Sequence, residues 1–286
     1  MSQTIAGLIG GVPSMGSYSG VIEELEEVLN NPESTLSHIG EVIEKDPDLT
    51  ARLLKLGNSS FYGFPSRLET VSEAITLIGI QQVYDLIVAA QVIELFEGVS
   101  PEFVSMQSFW RHSLSCGVVA RLLALDRRLP KPDKFFVAGL LHDVGRLILF
   151  LRIPGEVKTI FETCQARRCL LREAESDVLG FDHAAIGGEL LKSWSYPPNL
   201  VQAIAYHHHP LSAGVFQLEA SVVHVADFLC NGLQLGTSGE QFIPPLKMPA
   251  WERTSLEPGQ LESILTTADE QIEAVEDAFL TPGSAQ

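Results

Sequence analysis

The sequence predicts an all-α protein. Apolar residues recur every three or four positions along most of the chain, which is the spacing of one helix face. Asn, Asp, Ser, Gly and Pro residues separate these stretches, as expected at helix ends. No alternating apolar and polar run, and no two-residue hairpin signal, predicts a strand.

The N-terminal part predicts a series of short helices. Asp46-Pro47 has the composition of an N-cap followed by proline in the first turn, where its fixed φ is tolerated. Gly57 is suited to end that helix, because glycine adopts a left-handed conformation without strain. We expect helices over 21–30, 35–45, 47–57 and 71–96, the last broken near Gly79.

The same spacing continues after Gly98–Pro101, which we take as the boundary between two helical parts. Further helices are expected at about 107–125, 133–151, 154–168, 183–195, 198–208 and 216–231. A stretch rich in Gly, Ser and Pro follows, and then an acidic helix at about 260–279. The sequence thus predicts an N-terminal helical subdomain (1–100), a second helical subdomain (101–231), and a linker with a C-terminal helix (232–286).

Composition excludes some function classes. The chain of 286 residues carries a formal net charge of −17, so its surface repels nucleic acid and anionic lipid. No dense cluster of Lys and Arg opposes that charge. The four cysteines lack C-x-x-C spacing, and no apolar run approaches the roughly 20 residues of a membrane span. We expect a cytoplasmic protein with reduced thiols that binds neither nucleic acid nor membrane.

His142-Asp143, within Ala138–Leu149, is the most informative local feature. An imidazole and a carboxylate in an apolar helix are costly to bury unless they are paired or bind an ion. Adjacent helical residues point about 100° apart, so both contact one ion only at the helix edge. The second oxygen of Asp143 could then bridge to another ion.

Other predicted helices supply further potential ligands. Nitrogen and carboxylate ligands together suit Fe, Mn, Co or Zn. Each residue also has a simpler interpretation, as a solvated or hydrogen-bonded side chain, and Arg146 could form an ion pair with Asp143 at i+3. We assign His38 and His224 to such structural roles. The candidate ligands are His112, His142, Asp143, His183, His207, His208 and Asp227.

These residues resemble the HD superfamily of metal-dependent phosphohydrolases, whose pattern is a His, a His-Asp pair and a distal Asp. The chain is more similar, over roughly residues 8–230, to the HD-related output domain (HDOD) of bacterial signalling proteins. The residues that carry this resemblance are Ile43–Leu54, Asn58-Ser59, Ala74–Gly79, Gly180–His183, Gly187, Trp194, Pro197 and Tyr206–His208.

The resemblance implies an all-helical HD-like bundle with an N-terminal helical subdomain, and a role in signal transduction. Many members of the family are thought to lack hydrolase activity. The related cyclic di-GMP phosphodiesterases carry Gly-Tyr-Pro after the double histidine and a lysine after the His-Asp pair. Here His209-Pro210-Leu211 and Arg146 stand there, which argues against that reaction.

Two functions follow as hypotheses. The first is a regulatory module with a metal site that acts through protein partners; the acidic surface would favour a basic partner. The alternative is a metal-dependent phosphohydrolase acting on a nucleotide or small phosphate ester. In that enzyme Asp143 would bridge two ions, and Arg146 and Arg111 would clamp the phosphate. The first ion would bind to His112, His142, Asp143 and Asp227, and the second to His183, His207 and His208.

Overall fold

The computed structural model describes residues 3–14, 18–96, 98, 99 and 102–281. These residues form helices and turns, with no strand among them, as predicted. The chain forms two compact units. One consists of residues 13–96 and 266–286, and the other of residues 1–12 and 97–265. The break at 96/97 lies beside the expected boundary at 98–101. Residues 232–265, which fall within the expected linker and C-terminal helix (232–286), belong to the unit that contains the His-Asp pair.

The unit of residues 13–96 and 266–286 contains five helices and most of a sixth, with a core formed by their apolar faces. The helices are α2 Gly20–Asn30, α3 Leu36–Glu44, α4 Pro47–Gly57, α5 Val71–Ile78, α6 Ile80–Leu95 and α16 Leu261–Leu280. The hydroxyl of Thr70 accepts a hydrogen bond from the amide of Glu73, and the carboxylate of Glu73 accepts one from the amide of Thr70. This capping box starts α5. Gly79 separates α5 from α6 with φ of 103°.

The other unit is organised around one central helix, Met106–Asp126, whose residues from Phe109 to Ala124 are almost all buried. A helix that is covered on every side must lie in the interior. Two helices pack against it, Asp133–Leu141 and Gln217–Gly232. The helices of this unit are α1 Ile5–Ile9, α7 Met106–Asp126, α8 Asp133–Leu141, α9 Val144–Arg152, α10 Pro154–Arg167, α11 Leu171–Leu179, α12 His183–Ser193, α13 Pro198–Ala205, α14 Gln217–Gly232 and α15 Met248–Thr254.

Most predicted helices are present within a few residues of their expected ends, with three differences. The helix expected over 133–151 is broken at His142-Asp143, where Asp143 (φ −101°, ψ 9°) is the N-cap of α9. The helix expected over 198–208 ends at Ala205, so His207 and His208 lie in the turn after it. Three helices were not predicted, α1, α11 and α15.

Small residues next to the His-Asp pair allow helices to approach closely. A Cβ atom on Gly139 would lie 2.5 Å from the carbonyl oxygen of Cys116 in α7. A Cβ atom on Gly145 would overlap the carbonyl oxygen of His183 and lie 2.9 Å from the amide of Gly187. Gly145 in α9 therefore allows the backbone of α12 to pack closely beside the His142-Asp143 pair.

Among the described residues, no single helix combines the length and apolar composition of a membrane span. Helices α5 and α6 meet both criteria only when taken together, across a bend of 114°.

Gly145→Ala should destabilise the protein by about 2–3 kcal/mol, because an added methyl group has no space between α9 and α12. Alanine has the higher helix propensity, so any loss must come from packing. The control is Gly155→Ala in α10, where a Cβ atom meets nothing within 4 Å; its stability should stay equal or rise by about 0.5 kcal/mol. Urea unfolding measures both. Equal stabilities for the two variants would contradict this packing.

Candidate metal centre

The structure brings all seven predicted ligands together, and every one of their side chains is buried. They come from five places in the unit. The helix α7 carries His112, the break between α8 and α9 carries His142-Asp143, and α14 carries Asp227. The start of α12 carries His183, and the turn after α13 carries His207 and His208.

One group of ligand atoms, the His112 cluster, consists of Nε2 of His112, Nε2 of His142, Oδ2 of Asp143 and Oδ1 of Asp227. The Asp227 oxygen lies 3.3 Å from the His112 nitrogen and 3.5 Å from the His142 nitrogen. The Asp143 oxygen lies 3.2 Å from the His142 nitrogen and 4.0 Å from the His112 nitrogen. Bonds of roughly 2.0–2.3 Å to one ion place neighbouring ligand atoms about 3–4 Å apart, which these distances match.

A second group, the His183 cluster, consists of Nε2 of His183, His207 and His208 with Oδ1 of Asp143. The three histidines each place a ring nitrogen within 4.8 Å of the others, and Nε2 of His208 lies 2.9 Å from Nε2 of His183. The Asp143 oxygen lies 2.9 Å from the His183 nitrogen and 3.9 Å from the His207 nitrogen. The two oxygens of Asp143 therefore face different clusters. This is the arrangement that a bridging carboxylate requires.

Hydrogen bonds on the outer side of three imidazoles turn their Nε2 atoms inward. Nδ1 of His142 donates to the carbonyl of Gly139 at 2.7 Å, and Nδ1 of His207 donates to the carbonyl of Ile204 at 2.7 Å. Nδ1 of His183 donates to the carboxylate of Glu175 at 2.6 Å. Because these acceptors carry no proton, each imidazole keeps its proton on Nδ1, as in many metal sites.

Three inward atoms fit a bound cation. His142 Nε2, Asp143 Oδ1 and His207 Nε2 are buried, and none has a hydrogen-bond partner among the described residues. Asp143 Oδ1 and the His183 nitrogen lie near each other but lack the alignment of a hydrogen bond. Buried polar atoms without a partner are rare and costly. Ions bound in the His112 and His183 clusters would satisfy all three.

Neighbouring charges shift the pKa values of Asp143 and His142 in opposite directions. Burial raises the pKa of Asp143, but Arg146, His142 and His183 outweigh it, so that pKa lies well below its usual range. Burial lowers the pKa of His142, but Asp143 and Asp227 outweigh burial and raise it well above its usual value. Without metal, protons therefore neutralise part of the carboxylate charge.

The histidines of the His183 cluster differ in proton affinity. Burial and Arg146 lower the pKa of His183, but Glu175 and Asp143 outweigh them and raise it to about 9. Burial, followed by His142 and His183, lowers the pKa of His207 to about 3. Burial also lowers the pKa of His208, with His207 and His183 adding to the effect. Two neutral nitrogens are thus available for a metal beside one that must first lose its proton.

Arg146 makes the ion pair with Asp143 that the sequence offered as the alternative to a metal site. Its Nη1 lies 3.4 Å from Asp143 Oδ2, and its Nε lies 3.4 Å from Glu175 Oε1. The ion pair does not exclude a metal site, because Arg146 contacts one edge of Asp143 and the imidazoles face the rest of the carboxylate. The guanidinium is 2% exposed. Arg111, the other predicted phosphate clamp, is half-buried in α7 beside Gly236, and its role stays a prediction.

A segment after α14 closes the site, and we did not predict it. Ser238 hydrogen-bonds to Oδ2 of Asp143 and also to Arg146. Glu240 accepts from the amide of Leu171 at 3.0 Å and lies 3.8 Å from Arg146. Between this segment and the clusters lies a cavity of about 10 Å³, enough for about one water molecule.

Glu175 and Cys116 were also missed. Glu175 lies in α11, eight residues before His183. That short separation was the only feature of the sequence that could have indicated Glu175 as a partner of His183. The thiol of Cys116, one turn after His112 in α7, lies 3.6 Å from His112 Nε2 and within 4.8 Å of the ligand atoms of His142 and Asp227. Burial, with Cys230 and Asp227 adding to it, raises the pKa of that thiol well above its usual value.

The two histidines assigned to structural roles have them. Nδ1 of His38 accepts from the amide of Thr35 in the capping box of α3. His224 donates from Nδ1 to the carbonyl of His207 at 2.9 Å and accepts from the amide of Lys247 at 3.1 Å. It thereby holds the turn that carries His207.

Comparisons with known proteins agree with this fold. The family model of the HDOD domain matches residues 15–210. An HDOD domain protein of unknown function from Geobacter sulfurreducens has a similar structure, with a TM-score of 0.76 at 23% identity; the match covers 96% of this chain and 97% of that one. A protein from Shewanella amazonensis, provisionally named a phosphohydrolase, has a TM-score of 0.71 at 25% identity over 91% and 93% of the two chains.

A curated relative is an uncharacterised protein of Treponema pallidum, 25% identical over 282 residues. The match covers 97% of this chain and 53% of the relative. The chain thus spans about half the length of that relative.

Metal binding should release protons and weaken in acid. A metal replaces the protons on His142 and on His183, whose pKa is about 9. The proton on His183 is bound below about pH 9, and the raised pKa of His142 adds to the competition from protons, so affinity should fall steadily from pH 9 to pH 6. Zn²⁺ titration calorimetry in two buffers of different ionisation enthalpy should show release of at least one proton at pH 7. Affinity that is constant over this range would contradict the assigned ligands.

Proposed function

The chain belongs to the HDOD domain family, and we propose that it is a regulatory signalling module whose His112 and His183 clusters bind divalent metal ions. In this proposal it acts through protein partners. The family match and the buried His/Asp clusters support it. Fe, Mn, Co and Zn suit the mixed nitrogen and oxygen ligands, and the two faces of Asp143 suit two ions.

The observation that carries the regulatory role is the closure of the site over Asp143. One oxygen of this residue faces His183, and the other faces His142 and is also held by Ser238 and Arg146. The remaining cavity has room for about one water molecule. A phosphate ester does not fit this space unless the segment around Ser238 moves. The site in this form is therefore suited to metal-dependent stability or switching.

Charge supports a role for partners. The formal net charge of −17 would attract a basic surface and speed its association at low salt. We therefore propose a protein partner with a basic docking face.

A metal-dependent phosphohydrolase is the second candidate. The complete set of seven ligand residues favours it, and so does the provisional name of the similar Shewanella protein. In such an enzyme the ions would supply an activated water and stabilise charge on the phosphoryl group. The chain itself would hold the ions through its imidazoles and Asp143, and Glu175 would keep the His183 proton on Nδ1.

Metal content and turnover, measured together, distinguish the two functions. Protein purified without chelator should contain metal but hydrolyse no member of a panel of phosphodiesters and nucleotides. Loss of an outer partner of a ligand weakens metal binding about 10–100-fold, so Asp143→Ala, which removes a ligand, should weaken it about 100-fold or more. Asp143→Asn is the matched variant, because it keeps the shape of the side chain.

Turnover by the natural chain that disappears in Asp143→Asn would establish the phosphohydrolase instead. If no metal binds under any loading condition, the metal-dependent part of the proposal is wrong. Circular dichroism of both variants checks that they remain folded.

A further inference from the structure

Three basic side chains meet outside the two metal clusters. Arg172 lies in the first turn of α11, His209 lies in the turn after α13, and Lys247 precedes α15. Nη1 of Arg172 lies 3.4 Å from Nε2 of His209, and Nζ of Lys247 lies 3.1 Å from Nδ1 of the same ring. We call this group the basic cluster.

The basic cluster carries uncompensated positive charge. In the part of the chain that the structure describes, no carboxylate lies within ion-pair distance of Arg172 or Lys247. Asp182 raises the pKa of His209 through its charge, but its carboxylate caps α12 by accepting from the amide of Ala185 at 3.0 Å. A cation in the first turn of a helix is also disfavoured by the helix dipole. This is unusual in a chain with 36 acidic and 19 basic residues.

The hydrogen bonds of the basic cluster are incomplete as well. Arg172 and Lys247 can only donate, and each approaches a different nitrogen of the His209 ring. An imidazole offers at most one lone pair when neutral and none when protonated. At least one of the two cations therefore lacks an acceptor on this ring. An anion between them would accept from both.

The position of the basic cluster links it to the metal clusters. Arg172 and His208 line the same cavity as Asp143 and Asp227. His209 is exposed, and Arg172 and Lys247 are half-buried, so a ligand can reach them from solvent. By contrast, Arg146 is occupied by Asp143, Glu175 and Ser238 and has no free face for a phosphate.

We propose that Arg172 and Lys247, together with His209, bind the phosphoryl group of a small anionic ligand, a phosphate monoester or a nucleotide, beside the metal clusters. Charge-assisted hydrogen bonds from a planar guanidinium and an ammonium suit tetrahedral phosphate oxygens. This proposal extends the proposed function by giving the site a ligand class, and it applies to a sensor as well as to a hydrolase.

Calorimetric titration of the full chain with inorganic phosphate and with adenosine monophosphate tests the proposal. The test variant is Arg172→Gln with Lys247→Gln. The control is Lys158→Gln with Arg253→Gln, which makes the same change in net charge at two exposed positions. Each protein is titrated both metal-loaded and after chelation, and its metal content and melting curve are recorded.

Wild type and control should bind both probes within about 2-fold of each other. The test variant should bind them at least about 10-fold more weakly in both metal states, because bonds to charged groups are lost. Its metal content should equal that of the wild type. Tighter binding of adenosine monophosphate than of phosphate would identify a nucleotide, and equal affinities would identify the phosphoryl group alone.

Unchanged affinity in the test variant would overturn the proposal, as would equal weakening in both variants or a wild type that binds neither probe. Failure of the proposed function has a separate signature, the absence of bound metal. The titrations after chelation test anion binding by the basic cluster in the absence of metal.

Discussion

The structure around the candidate site depends on neutralising Asp143, a carboxylate buried at the junction of two helices. Charge in such a place is stable only with close partners. His142 and His183 face it from two sides, Arg146 contacts it from a third, and Ser238 hydrogen-bonds to it. Close helix packing contributes as well, because Gly145 allows α12 to place His183 next to Asp143.

The convergence of the ligands was predictable from the sequence, because a His-Asp pair and an isolated Asp in apolar helices each need a partner. The helix break at the pair was not, since apolar spacing continues from Leu140 through Leu147 and hides it. Glu175 was missed with its helix, which begins after Leu170 rather than after a capping residue. Ser238 was missed because a Gly/Ser-rich composition predicts a turn but not what the turn contacts.

The segment that holds Ser238 connects the metal clusters to the exterior of their unit. The same stretch places Glu240 against Arg146 and against the start of α11, where Arg172 begins the basic cluster. Release of Ser238 from Asp143 would therefore change the environment of Arg146 and the access to the cavity together. In the proposed function, a metal ion that competes for Asp143 would favour such a release.

Anomalous X-ray diffraction from crystals grown with Zn²⁺ is the most direct test of this account. It predicts an anomalous peak at about 2.0–2.3 Å from an oxygen of Asp143 and from at least two of the facing imidazole nitrogens. A peak only at surface residues, with the seven ligand side chains arranged as described here and no ion between them, would contradict the assignment of this cluster as a metal centre.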